Sequence, residues 1–320
     1  MTTIFAPAKV NLYLAILGKD ASGYHELDTV YARYEALQDE IEIETAPLVG
    51  HASDIRFIPA DGIDPEDNTL IKALRVLEAH TGRVYSYTIT VHKNIPIQSG
   101  LGGASSDAAA LLLYLNTHEN LNLSAQTLLE LGMQIGMDVP FFLSGFAVAR
   151  GTHYGEILAP LPPLPPALHL EVGFTGIPVS TKEAFAKWDR LGLKSTAPGL
   201  ATLSALDLPF PLHNDFEQIF SDLSFKNPTT VLTGSGGAFV HLQTGLPKQG
   251  NWRMIPGPNT KSNERNRPLC PIRVRHSRPI KTRNGAGARG LDRYRAGATF
   301  YLGLTRGAEG KDPSHSDLSK

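Results

Sequence analysis

Residues 93–115, KNIPIQSGLGGASSDAAALLLYL, carry the densest chemistry in the chain. Gly100, Gly102 and Gly103 follow a strand-like segment, and Ser105, Ser106 and Asp107 open a run rich in Ala and Leu. Glycines let backbone N–H groups turn inward and approach an anion closely. A helix start adds unpaired N–H donors and the positive end of a dipole. Ser105 and Ser106 add hydroxyls for phosphate oxygens or a metal, and Asp107 reads as a first-turn charge on the helix dipole. The pattern is that of a phosphate cradle. It is not a Walker A loop, and a dinucleotide fingerprint would need glycine where Ser105 stands. A bare strand–helix turn is the ordinary alternative. Three glycines, two serines and a helix start in one window favour phosphate.

Other residues have chemistry to offer singly. Lys9 and Asn11 interrupt the apolar segment 5–17, and Asp138 precedes Val139-Pro140. A lysine in a strand can snorkel to solvent, and an aspartate before Val-Pro can be a turn or cap residue. Tyr24 and His25 follow Gly23 in what could be a plain turn. Thr233-Gly234-Ser235-Gly236-Gly237 could be a turn between strand and helix.

The elements that must position these residues are legible in outline. Residues 5–17 read as a strand entering a buried sheet, and 40–44 (EIEIE) as a half-exposed strand. Residues 67–80 have helical spacing, with Asn68 or Thr69 as cap. Residues 85–91 (YSYTITV) read as a strand. Helices are expected over 106–115, over 124–135 opened by Ser124, and over 182–191. Residues 139–149 read as a buried strand or turn, and 168–174 and 230–242 as β segments. The proline cluster APLPPLPPAL at 159–168 reads as an ordered connector.

The motifs together resemble the GHMP kinases. Pro96–Asp107 corresponds to their Pro-x-x-x-Gly-Leu-(Gly/Ser)-Gly-Ser-Ser-x loop, with APAKVNLYL at 6–14 and LTGSGGAFV at 232–240 matching in order. Gly23-Tyr24-His25-Glu26-Leu27 with Thr29-Val30, Gly136-Met137-Asp138-Val139-Pro140-Phe141-Phe142 and Asn214-Asp215-Phe216-Glu217 narrow the resemblance. They are similar to segments of the GHMP subfamily that phosphorylates 4-diphosphocytidyl-2-C-methyl-D-erythritol in the methylerythritol phosphate route to isoprenoids. Met137 departs from the small residue usual in that family. The resemblance covers about residues 4–242.

The resemblance implies transfer of the ATP γ-phosphoryl group to the 2-hydroxyl of a cytidine-diphosphate-linked polyol, a reaction of positioning and charge stabilisation. By the same resemblance Asp138 is the general base and Lys9 sits beside it. Pro96, Ile97, Gln98, Ser99, Gly100, Leu101, Gly102, Gly103, Ala104, Ser105 and Ser106 form the ATP phosphate loop. Lys93, Asn94 and Asn68 are placed near adenine and ribose, with capping an alternative for Asn68. Tyr24 and His25 correspond to the cytidine-binding pair, and Thr181 and Phe185 to positions on the substrate side. An apolar helix face explains Phe185 equally well. Asn11 is implied to bind substrate or to hold Lys9. Mg²⁺ is expected with ATP, with no ligands named.

The implied fold is α+β with two lobes. An S5-domain-2-like N-terminal lobe is expected over 1–155, and an incomplete ferredoxin-like C-terminal lobe over 156–242. Residues 243–320 differ in kind, with 16 Lys or Arg against 5 Asp or Glu and little apolar periodicity, although the whole chain has a formal net charge of −1. Three readings fit that segment: a disordered basic extension, an arm for nucleic acid or an acidic partner, and the translation of a shifted reading frame. The abrupt change inside an element favours the third. The one cysteine, Cys270, excludes an internal disulfide and fits the cytoplasm. No membrane partner is expected, and no nucleic acid for the kinase body. Competing functions are a GHMP kinase for homoserine, mevalonate or a sugar, an inactive GHMP-like binding or regulatory protein, and a dinucleotide-binding oxidoreductase.

Overall fold

Two long strands organise the protein. In the computed structural model, which describes residues 1–46, 54–58, 68–197, 200, 211–220 and 227–244, β1 (Thr2–Lys19) pairs antiparallel with β2 (His25–Thr45). Side chains alternate between the two faces of a strand. Ala8, Val10 and Leu12 of β1 join Val30 and Ala32 of β2 in one core, while Tyr31, and Ala6 beyond the register shift between Pro7 and Ala8, belong to another on the opposite face. Lys9 and Asn11 alternate with the first group and so fall on the Tyr31 side. A register shift between Asn11 and Tyr13 then breaks the alternation.

The free edge of β2 is shared by two neighbours. Its C-terminal part pairs with β4 (Tyr87–His92), which carries the parallel strand β3 (Asp54–Ile58). Its N-terminal part pairs with β5 (Val148–His153), which carries β6 (Ile157–Leu161). On the other side β1 meets the short parallel strand β8 (His213–Asn214). Pro160 is accommodated because β6 is an edge strand, where a missing N–H can face away from the ladder.

Helices α1 (Thr69–Thr81), α2 (Gly103–His118), α3 (Ala125–Ile135) and α4 (Val139–Ser144) cover one face. Leu70, Leu77, Leu111, Leu112 and Phe141 pack there on Ile41, Ile43 and Ile89. Asn68 caps α1, its Oδ1 accepting from the Ile71 N–H at 3.0 Å, and Ser124 caps α3, its Oγ accepting from the Thr127 N–H at 3.1 Å. Each such cap contributes about 1 kcal/mol.

The second sheet is antiparallel, in the order β7 (Leu168–Phe174), β10 (Ala238–Thr244), β9 (Thr230–Thr233). Helix α5 (Thr181–Arg190) and a 3₁₀ turn at Asp215–Ile219 lie between β7 and β9 in sequence. This β-α-β-β order is the opening of the ferredoxin-like motif. Leu168, Val172, Val231, Val240 and Leu242 pack on the Val10–Leu12 face of the first sheet.

Two expectations change. Residues 139–149 are not a strand throughout: Val139–Ser144 is helical, with Pro140 in its first turn and Gly145 ending it at φ +72°. A short apolar run has no period long enough to separate helix from strand, and proline is favoured in a first turn. The segment 230–242 is two strands, and its glycine turn joins strand to strand rather than strand to helix. The described residues all fall within one compact unit. The expectations for the basic segment fall, apart from Gln243 and Thr244, outside the described residues.

Candidate active site

Lys9 lies in the middle of β1 and is 3% exposed, so it does not snorkel. Its backbone N–H donates to the Leu101 carbonyl at 2.9 Å, which ties the strand to the glycine loop. Its ammonium lies 3.4 Å from Asp138 Oδ2 and donates to Asn11 Oδ1 at 2.6 Å. Asp138 stands at the N-cap position of α4, yet its side chain makes no capping hydrogen bond. The carboxylate is therefore turned to Lys9 and to Tyr31, whose hydroxyl donates to Oδ1 at 3.2 Å. Burial, and then the charge of Asp138, raise the Tyr31 phenol well above its ordinary range. It stays a donor at all working pH values.

Asn11 joins this pair to the second sheet. Its Oδ1 also accepts from the Gly234 N–H at 3.1 Å, its Nδ2 donates to Thr29 Oγ1 at 2.7 Å, and its own N–H donates to Thr233 Oγ1 at 2.7 Å. Of the two alternatives for Asn11, holding Lys9 is the one its geometry displays.

The two glycine turns meet backbone to backbone. A Cβ on Gly100 would lie 2.7 Å from the Thr233 carbonyl oxygen, one on Gly234 2.4 Å from that of Gly100, and one on Gly237 2.3 Å from that of Gln98. Gly102, at φ +71°, sits over Lys9, where a Cβ would be 3.0 Å from the lysine Cγ. Only glycine permits these approaches. Gly102 is also the N-cap of α2 and offers no side-chain cap, so the first N–H groups of the helix have no intrahelical or capping acceptor. Ser106 Oγ is buried there without a partner. An open cradle of glycine backbone, uncapped N–H groups and an orphaned hydroxyl fits a polyphosphate. Pro96, Ile97 and Gln98 form the exposed rim of the loop, Ser99 and Leu101 are buried beneath it, and Ala104 and Ser105 lie in the first turn of α2.

The Lys93 side chain is engaged inside the protein. Its ammonium is engaged by Asp39 and by Asp107, the latter at 2.7 Å, and its side chain is 7% exposed. Asp39 Oδ1 also accepts from the N–H groups of Asn94 and Ile95 at 2.6 and 2.8 Å. Asn94 Nδ2 donates to the Gln38 carbonyl at 2.9 Å. Lys93 and Asn94 thus anchor the strand end that feeds the loop. Asp107 is not a first-turn charge; it is buried behind the loop. Burial raises its carboxyl, the Lys93 ammonium draws it back and Asp39 raises it again, to about 7.

The residues expected on the substrate side also gather. The His25 ring stacks on Phe185 at 4.3 Å, and Phe185 meets Phe216 edge-on at 4.9 Å. Tyr24 is 59% exposed and its ring lies against Tyr154 at 5.2 Å. The Tyr24 turn is held by Asp20, which accepts from the Ser22 hydroxyl, from the Tyr154 hydroxyl and from the Tyr24 N–H. Thr181 pairs its hydroxyl with Ser235 at 3.2 Å, joining α5 to the second glycine turn. Met137 is half-buried.

Sequence reasoning missed Tyr31, Asp39, Tyr154 and Asp189. Tyr31 had a signal: it stands two residues after Thr29 on a strand, hence on the same face. The others come from partners remote in sequence and had none.

A model of the GHMP kinases N terminal domain matches residues 68–146. The 4-diphosphocytidyl-2-C-methyl-D-erythritol kinase of Carboxydothermus hydrogenoformans is 42% identical over 268 residues, covering 77% of this chain and 89% of its own. That of Gloeobacter violaceus is 36% identical over 250 residues, covering 73% and 80%. A crystal structure of 4-(cytidine 5'-diphospho)-2C-methyl-D-erythritol kinase superposes with a TM-score of 0.60 at 31% identity, covering 76% of this chain and 91% of that one. These likenesses place the chain in the GHMP kinase family, among its 4-diphosphocytidyl-2-C-methyl-D-erythritol kinases.

Proposed function

We propose that the protein transfers the γ-phosphoryl group of ATP to the 2-hydroxyl of 4-diphosphocytidyl-2-C-methyl-D-erythritol, a step of isoprenoid synthesis by the methylerythritol phosphate route. The observation that carries this is the Asp138 carboxylate, unused as a helix cap and held 3.4 Å from a buried lysine beside the glycine loop. ATP supplies the phosphoryl group, with Mg²⁺ as its counter-charge.

Asp138 accepts the proton of the attacking hydroxyl. Lys9 faces the same carboxylate and stabilises negative charge on the hydroxyl oxygen. Tyr31 holds Asp138 Oδ1, and Oδ2, which Lys9 faces at 3.4 Å, accepts from the substrate hydroxyl. The N–H groups at 102–105 and the Ser105 and Ser106 hydroxyls bind phosphate oxygens. Tyr24 offers a face for the cytosine ring and His25 a polar edge. Among the described residues no cluster of three His, Cys, Asp or Glu could hold a metal alone. Mg²⁺ would then be bound mainly by phosphate oxygens with few protein ligands, which is its common mode. No helix among the described residues is long and apolar enough to cross a membrane, and the cytoplasmic placement rests on the reduced state expected of a lone cysteine.

Mass spectrometry of the product formed with Mg-ATP and the cytidyl polyol tests the reading. A monophosphorylated product is expected, lowered by roughly 10²–10⁴-fold in Asp138→Asn. ATP binding without product would sink the acceptor assignment.

A further inference from the structure

A hydrogen bond outside the reacting centre decides what His25 can recognise. His25 Nε2 lies 2.8 Å from Asp189 Oδ1 on α5, and Lys19 binds the other oxygen of Asp189 at 2.7 Å. A carboxylate only accepts, so Nε2 must carry the proton. A ring that carries its one proton on Nε2 has a bare Nδ1, which is an acceptor. Stacking on Phe185 at 4.3 Å with 20° between the planes fixes the ring, and among the described residues none pairs with Nδ1. Lys19 holds Asp189 from the far side. The hydrogen bonds of Lys19 and His25 outweigh the slight burial and keep the Asp189 carboxyl below its ordinary range, so it remains an acceptor.

We propose that Asp189, held by Lys19, is a positioning residue that sets His25 in the Nε2–H tautomer and thereby selects a cytosine over a uracil nucleotide. The inference rests on the cytidyl reading of the site. Cytosine carries an exocyclic amine where uracil carries a carbonyl. An amine donates to Nδ1, whereas a carbonyl facing Nδ1 is left unpaired at an enclosed edge, which is penalised. Asp189 itself touches no ligand; it acts through the ring.

The test compares cytidine 5′-diphosphate and uridine 5′-diphosphate by calorimetric titration of the full chain, its Asp189→Ala variant and its Asp189→Asn variant. The expected result is that alanine lowers the cytidine-to-uridine affinity ratio by about tenfold. Asparagine, whose amide oxygen can still accept from Nε2–H, stays close to the unsubstituted ratio. In turnover the loss falls on the KM for the cytidyl substrate and not on that for ATP. Nitrogen-15 spectra of histidine-labelled protein are expected to show His25 protonated at Nε2 and bare at Nδ1. A ratio unchanged in Asp189→Ala, or a proton on Nδ1, overturns the proposal while leaving the kinase reading intact. Equal binding of the two diphosphates by the unsubstituted protein overturns the cytidyl reading itself. The side chain of Asp189 is 36% exposed, so alanine there removes a contact without opening a core.

Discussion

Tyr31 and Asp107 show how a buried polar group takes its role from its neighbours. The Tyr31 hydroxyl holds Asp138 Oδ1 at 3.2 Å. Tyr31→Phe removes that donor and keeps the ring in its core, so kcat is expected to fall roughly threefold to thirtyfold, with the KM for ATP unchanged in steady-state assays. Asp107 lies in a cluster of two carboxylates and one ammonium, with its pKa raised to about 7. Such an acid binds more protons folded than unfolded between its unfolded value of about 3.9 and about 7. Its contribution to stability is present on the acid side and is lost as pH rises through that window. Asp107→Asn removes this slope. The urea midpoint of the variant, relative to the unsubstituted protein, is expected to improve from about pH 5.5 to about pH 8. A constant difference would show that Asp107 is already ionised at the lower pH.

At the scale of elements, the candidate active site is made by two turns that could not approach if either carried side chains. Gly234, at φ +55°, lies with its Cβ direction 2.4 Å from the Gly100 carbonyl oxygen. Gly234→Ala is expected to destabilise the protein by about 1–3 kcal/mol and to raise the KM for ATP, because the loop at 98–103 must retreat. Thermal melting together with ATP titration checks this; unchanged values of both would mean that the contact is not made in solution. Helix α4 acts differently. Its short length and its proline in the first turn place Asp138 at a helix start without using its carboxylate as a cap.

Across the whole molecule, the sheets are joined by shared cores rather than by a hinge of loops. Leu232 of β9 is fully buried with Leu14, Ile16, Trp188 and Phe216, residues drawn from three other stretches of chain. Leu232→Ala is expected to lower stability by about 2–5 kcal/mol, read as a shift of the denaturant midpoint with an unchanged slope. Mg-ATP at about a hundredfold over its Kd is expected to raise stability by about 2.7 kcal/mol, and Ser106→Ala, which removes the orphaned hydroxyl, to weaken that effect.

Much of this protein was legible before any coordinates. The glycine loop, the caps at Asn68 and Ser124, the helices that they open and the strand at 168–174 follow from local propensity, and local propensity needs no partner. Lys9 and Asn11 stood out as polar residues in an apolar strand. The rest came only with tertiary structure, because it depends on residues far apart in the chain. Nothing near Lys93 announces Asp39, 54 positions away, so the anchoring of the loop by this lysine is not legible in the sequence. Nothing near Asp138 announces Tyr31, and nothing near His25 announces Asp189, 164 positions away. Sequence by itself determined which groups were available, the phosphate cradle and the family. Burial and cross-sheet contact decided which side of each group was already occupied and which was left for a substrate.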